Sequence, residues 1–222
     1  MAIAFVQKQT FQGDSVNSIA VLLNGVAAGN FLAVLASPYT GGAGPANTTP
    51  TDDKSNTWNI TTAPGDNAGG GNAFIDYAMN VASGNTTVTC DWGTGFYVPG
   101  VFVEFSGLQT SSALDVETSN FSTGSTTPTS GTTGTTAQDD ELVLACLAVN
   151  GGATNAGIDA ATTGYTNLHV EQDIDTHEAG SMDYKIIAAT GTQSAAWGTI
   201  NSNPWAAKIA TFKATGGAPA DP

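Results

Sequence analysis

The chain has 222 residues, of which 41% are hydrophobic, enough for a folded core and too many for a disordered tail. Only 11% are charged, and five lysines without an arginine stand against 19 acids, for a formal net charge of −14. That balance excludes the basic footprint nucleic acids require and argues against docking on anionic lipid, so partners should be neutral, cationic or metallic.

No run reaches the roughly 18 apolar residues of a membrane span. The opening "MAIAFVQKQTF" has neither a basic start nor a long apolar stretch, so no secretory signal is expected. A polar, weakly charged surface without an export signal points to a protein assembled inside a cell and released by lysis, with virion proteins the obvious class.

Taken in chain order, strand-like runs fall at 2–7, 18–23, 30–37, 56–62, 73–81, 86–92 and 100–106, and then at 141–149, 164–171, 180–189, 194–200 and 205–213. They are rich in β-branched and aromatic residues. Turn-forming stretches such as "NGVAAGN", "APGDNAGGG" and "ASGN" separate them. Helical periodicity is nearly absent. In "TTVTCDW", Val88, Cys90 and Trp92 alternate with Thr87, Thr89 and Asp91, and "GVFVEFS" sets Val101, Val103 and Phe105 against Phe102 and Glu104. Such alternation predicts half-buried antiparallel strands in two stacked layers. "ELVLACLAV" is apolar on both faces and reads as a central strand.

Between the two groups of strands lies "ETSNFSTGSTTPTSGTTGTTAQ", residues 117–138. Its low complexity suggests a long excursion from one domain spanning 1–222, in preference to a linker between units 1–116 and 139–222.

The densest chemistry sits in "HVEQDIDTHE", residues 169–178, which holds both histidines. With a period of two, His169, Glu171, Asp173, Asp175 and His177 share one side of a strand. Same-side residues lie about 6.6–7 Å apart, so two neighbours can chelate one ion and five cannot. A solvated strand edge, where charge discourages aggregation, is the favoured reading. The candidate metal ligands, should an ion bind, are Asp173, Asp175 and His177.

Catalytic patterns are weak. Asp139, Asp140 and Glu141 look like the start of a strand, and Glu104 reads as an exposed carboxylate in mid-strand. No GxSxG elbow, P-loop or dinucleotide fingerprint occurs. Trp92, Trp197 and Trp205 lie in alternating strands and are expected in the core. Tyr39 and Tyr97 lie in Gly/Pro loops and are the candidate surface-contact residues. Cys90 and Cys146 are read as unpaired, buried small hydrophobes.

The succession "AAGNFLAVLAS", "DDKSNTWNI", "YAMNVASGNTTVTCDW", "VFVEFSGL", "DDELVLACLAV", "GSMDYKIIAATGTQSAAWG" and "WAAKIATFK" resembles a β-sandwich module of phage structural proteins and bacterial surface proteins. The resemblance runs from about residue 16 to 213. It implies jelly-roll-like topology and a role in display or adhesion, and it supplies no functional residues.

The expected fold is therefore all-β: a two-sheet antiparallel β-sandwich, jelly-roll-like, of about ten to twelve strands. The expected function is that of a non-enzymatic structural protein of a virion surface, a phage capsid decoration or fibre subunit assembled in the host cytoplasm. It would act without a cofactor, through contacts with other subunits and with its own copies. The alternative is a carbohydrate-binding or adhesin module, extracellular or on a bacterial cell surface, whose partners are glycans.

Overall fold

A computed structural model describes residues 2–39, 46–62, 71–150, 158, 164–174 and 178–217, excepting the side chains of 94–96, 173 and 174. The described residues form thirteen strands and no helix, and every strand pairing is antiparallel.

Two strands are far longer than sequence periodicity predicts. The runs at 2–7 and 18–23 merge into β1 (Ala4–Val26), and those at 86–92 and 100–106 merge into β6 (Gly84–Ser106). They pair with each other along most of their length. Register shifts between Gly13, Val16 and Ser18, with Ser15 at φ 53°, bend this ribbon sharply. Gln7 Nε2 donates to Asn24 O at 2.9 Å. In a straight strand those residues would lie about 56 Å apart.

The bend creates a layer that the expected two-layer architecture lacks. Between the arms of the ribbon lie β2 (Phe31–Ala36), β5 (Phe74–Ala78) and β4 (Trp58–Ile60), in the order β1-β6-β2-β5-β4; the short β3 (Thr51–Asp52) also pairs with β6. Leu32, Val34, Ala36, Phe74 and Phe102 pack against Val21, Leu23, Val88, Cys90 and Trp92 of the folded-over arm. The sheet thus closes nearly on itself, like a barrel.

A second sheet runs β10 (Thr166–Ile174), β11 (Glu178–Ile187), β9 (Glu141–Asn150), β13 (Trp205–Lys213), β7 (Leu114–Ser122). Its Leu142, Leu144, Cys146, Met182, Ala210 and Phe212 meet Phe31, Leu35, Ile75, Val101, Val103 and Phe105 of the first sheet in the central core. Its other face is covered too. Val143, Leu147, Val149 and Ile209 pack with Ala195 and Trp197, carried on and just after β12 (Thr192–Ala196). Residues 101–105 are therefore buried on both faces, where alternation suggested one wet face.

Residues 117–138 complete β7 and supply β8 (Thr129–Thr135), which pairs with β12 as a third, two-stranded sheet. The pairing is irregular, and hydroxyls bridge its gaps. Ser130 Oγ accepts from Ala195 N, and Thr133 Oγ1 accepts from Gln193 N, both at 2.9 Å. Low apolar content hid a strand whose ladder is partly built from side chains. Beneath this layer Asp183, fully buried, accepts from Trp197 Nε1 at 3.0 Å, Asn167 Nδ2 at 2.9 Å and Ser181 Oγ at 2.8 Å.

Gly100 shows how tightly the ribbon closes. It lies opposite Phe11 on β1, whose ring covers it, and a Cβ there would also come within 2.8 Å of Leu35 O. Gly100→Ala is expected to cost about 1–3 kcal/mol of unfolding free energy. Thr132→Ala, on the exposed face of β8, should stay within about 0.5 kcal/mol. Denaturant titration of both variants checks this.

Candidate functional site

Residues 169–174 close β10 and Glu178 opens β11, and two register shifts interrupt the pairing of these strands. A register shift between Asn167 and His169 reverses the alternation, so that Leu168 enters the central core while Val170 packs in the outer one. A second shift separates Glu171 from Ile174. Asp173 lies on β10 with its backbone described; Asp175 and His177 lie outside the described residues. His169 is half-buried opposite Met182, and burial lowers its pKa from the ordinary value, with Lys8 acting the same way and Glu171 opposing. Among the described residues no three His, Cys, Asp or Glu side chains gather as a metal group would.

Glu178 is the residue of this segment that the sequence reading passed over. It opens β11, is fully buried, and neither carboxyl oxygen has a hydrogen-bond partner. Desolvation holds its pKa well above the usual carboxylate range. The available signal was the following Ala179-Gly180, since small residues mark close approach of another chain segment. A Cβ on Gly180 would run into Ser37, whose buried hydroxyl is likewise unpartnered.

Above this pair stand the two predicted contact residues. Tyr39 and Tyr97 are brought together by an isolated β-bridge, Tyr39 N donating to Tyr97 O at 2.8 Å and Tyr97 N to Tyr39 O at 3.1 Å. Both are half-buried. Tyr39 is raised in pKa by desolvation, then by the charge of Glu178, then by Tyr97. The two tyrosines thus sit together near a buried carboxyl whose pKa desolvation raises.

Glu104, expected to be exposed, is a buried latch. It accepts from Gln7 Nε2 at 2.6 Å, Ala27 N at 2.9 Å and Asn30 Nδ2 at 2.6 Å, joining β1, the turn before β2 and β6. Four donors surround Asp52 as well: Trp58 Nε1, Asn56 Nδ2, Asn56 N and Lys54 N, at 2.8–3.1 Å. Burial would raise the pKa of Asp52, but the hydrogen bonds from Trp58, Asn56 and Lys54 outweigh it and hold the group low. Asp52 thereby holds Lys54 and Asn56, which line an open polar hollow of about 510 Å³. Lys54, Ser55, Asn56, Asn80 and Ser112 line it, and Ser55, Asn80 and Ser112 all have left-handed backbones at φ 52–59°.

The fourth feature is the margin of β1 that lies away from β6. Among the described residues this strand ends its sheet and its ladder pairs with β6 alone. Of the six large apolar side chains exposed among the described residues, Phe5, Val6 and Leu22 belong to it. A shallow hollow of about 350 Å³ opens between its two arms, beside Gln9, Phe11 and Leu22.

No family model, curated protein or solved structure matches this chain. Its own geometry therefore carries any functional reading.

A carboxyl whose folded pKa is raised keeps its proton after the unfolded chain has lost it, so stability falls as pH climbs above the unfolded value. Glu141 and Asp76, both pushed up to about 7 by burial, lose stability as pH rises from about 4 toward 7, and Glu178 continues the loss. Glu178→Gln should therefore raise the melting temperature at about pH 8 and change it little at about pH 4. Melting curves across that range give the comparison; a variant less stable at the higher pH means that the carboxylate form is needed.

Proposed function

We propose that this chain is a non-enzymatic structural subunit of a virion surface, a capsid decoration or fibre subunit of a phage. In this reading the two central sheets are a jelly-roll-like sandwich, and the chain works by docking on neighbouring subunits and on its own copies. The observation that carries it is β1. Among the described residues its backbone ladder runs to β6 alone. Within Ala4–Val26 only Lys8 and Asp14 are charged, in a molecule of net charge −14. A long edge with exposed apolar side chains and little charge is a template for another chain, and monomeric proteins usually blunt such edges. Edge pairing adds backbone hydrogen bonds over a large area without an active centre.

A second reading, a carbohydrate-binding or adhesin module, is favoured by the polar hollow beside Lys54. Amides and hydroxyls dominate its lining, and three non-glycine residues there hold a costly backbone conformation of the kind found at binding sites.

Size-exclusion chromatography with light scattering should report an oligomer for the purified chain. The double variant Val6→Lys, Leu22→Lys should convert it to monomer, with a change in stability of no more than about 0.5 kcal/mol per site. A clean monomer at high concentration, together with native particles that lack the chain when imaged, would sink the structural reading. Binding on a glycan array that is lost in Asn56→Ala would favour the second.

A further inference from the structure

Of the five lysines, Lys208 alone is buried, at 1% exposure, on β13. The β13–β7 register sets Ala210 opposite Glu117 and Lys208 opposite Ser119, so Lys208 and Glu117 are diagonal neighbours on one face. Their side chains meet, with Nζ 2.7 Å from Oε2. The Lys208 ammonium also donates to Thr62 O. Thr62 returns the favour to the acid: its N–H reaches both Glu117 oxygens at 3.2–3.3 Å, and its Oγ1 donates to Oε1 at 3.0 Å. Asp76, buried on β5, is close enough for its charge to act on Lys208.

As a salt bridge this is a poor investment, because desolvation of a buried pair offsets most of its attraction. As a reaction centre it holds an amine against a carboxyl with two Thr62 donors on its oxygens.

We propose that Lys208 and Glu117 condense to an amide, cross-linking β13 to β7 inside the fold. Transfer of one proton across the 2.7 Å contact turns the ion pair into free amine and carboxylic acid. Burial lowers the Lys208 pKa from its ordinary value, which favours the free amine. The Nζ lone pair attacks Cδ of Glu117. A C–N bond forms, and the tetrahedral oxyanion is stabilised by the Thr62 N–H and Oγ1–H. The C–O bond to the carboxyl hydroxyl then breaks. A second proton passes from Nζ to the departing hydroxyl, so that Lys208 supplies both protons of the water released. Amine and acid become amide and one water, so no oxidant, nucleotide or metal is consumed.

The test is the intact mass of the folded wild-type protein after prolonged incubation at neutral pH. The expected result is a loss of one water, about 18 Da, together with a branched peptide joining residues 117 and 208 after digestion. Lys208→Met and Glu117→Ala should each show the full mass of their own sequence. Folded wild-type protein at full sequence mass overturns the proposal, as does a water loss without the branched peptide. The wild-type measurement decides by itself, so a variant that fails to fold does not weaken the test.

Discussion

Burial on both faces of the two central sheets is the constraint on which the molecule rests. β2 and β9 are closed to solvent along their whole length, each sending alternate side chains into two different cores. Such strands cannot trade their ladder hydrogen bonds for water, so their pairing must be complete. The folded ribbon and the β8–β12 sheet are the covers that make this possible. Each seals one outer face with its own material: apolar alternation in the ribbon, and tryptophan with hydroxyl bridges in the smaller sheet.

The polar groups trapped by this arrangement fall into two kinds. Glu104 and Asp183 each receive three donors and act as internal fasteners. Glu178 receives none, and desolvation raises its pKa. Lys208 stands apart as the one buried cation, reaching from the second sheet to Thr62 beyond β4 of the first. The contrast follows from position. The satisfied acids lie where side chains and turns supply N–H groups, whereas Glu178 starts a strand directly beneath another layer.

The strands were legible in the sequence wherever apolar and polar residues alternate or where apolar runs are bounded by turns, as at 30–37, 141–149 and 205–213. The buried placement of Trp92, Trp197 and Trp205 followed from the same pattern. Three things were not legible. Bends inside one strand look like turns between two, so β1 and β6 were each read as a pair. A strand of Thr, Ser and Gly carries no apolar signal, so β8 read as an excursion. Bulges reverse facing without changing composition, so Leu168 and Val170, which would share a face in a straight strand, enter different cores. The site residues suffered for the same reason. Tyr39 and Tyr97 were singled out by loop composition, while Glu178 and Lys208 depend on contacts between layers that no local pattern encodes.

The two thiols offer a practical dividend. Cys90 sits in the core under the ribbon and Cys146 in the core between the sheets, both buried, unpaired and held protonated chiefly by desolvation. Neither presents a nucleophile to a maleimide. A fluorophore or gold particle could therefore be attached through one cysteine introduced on the surface, leaving both native thiols in place, to follow single molecules as they join a larger object.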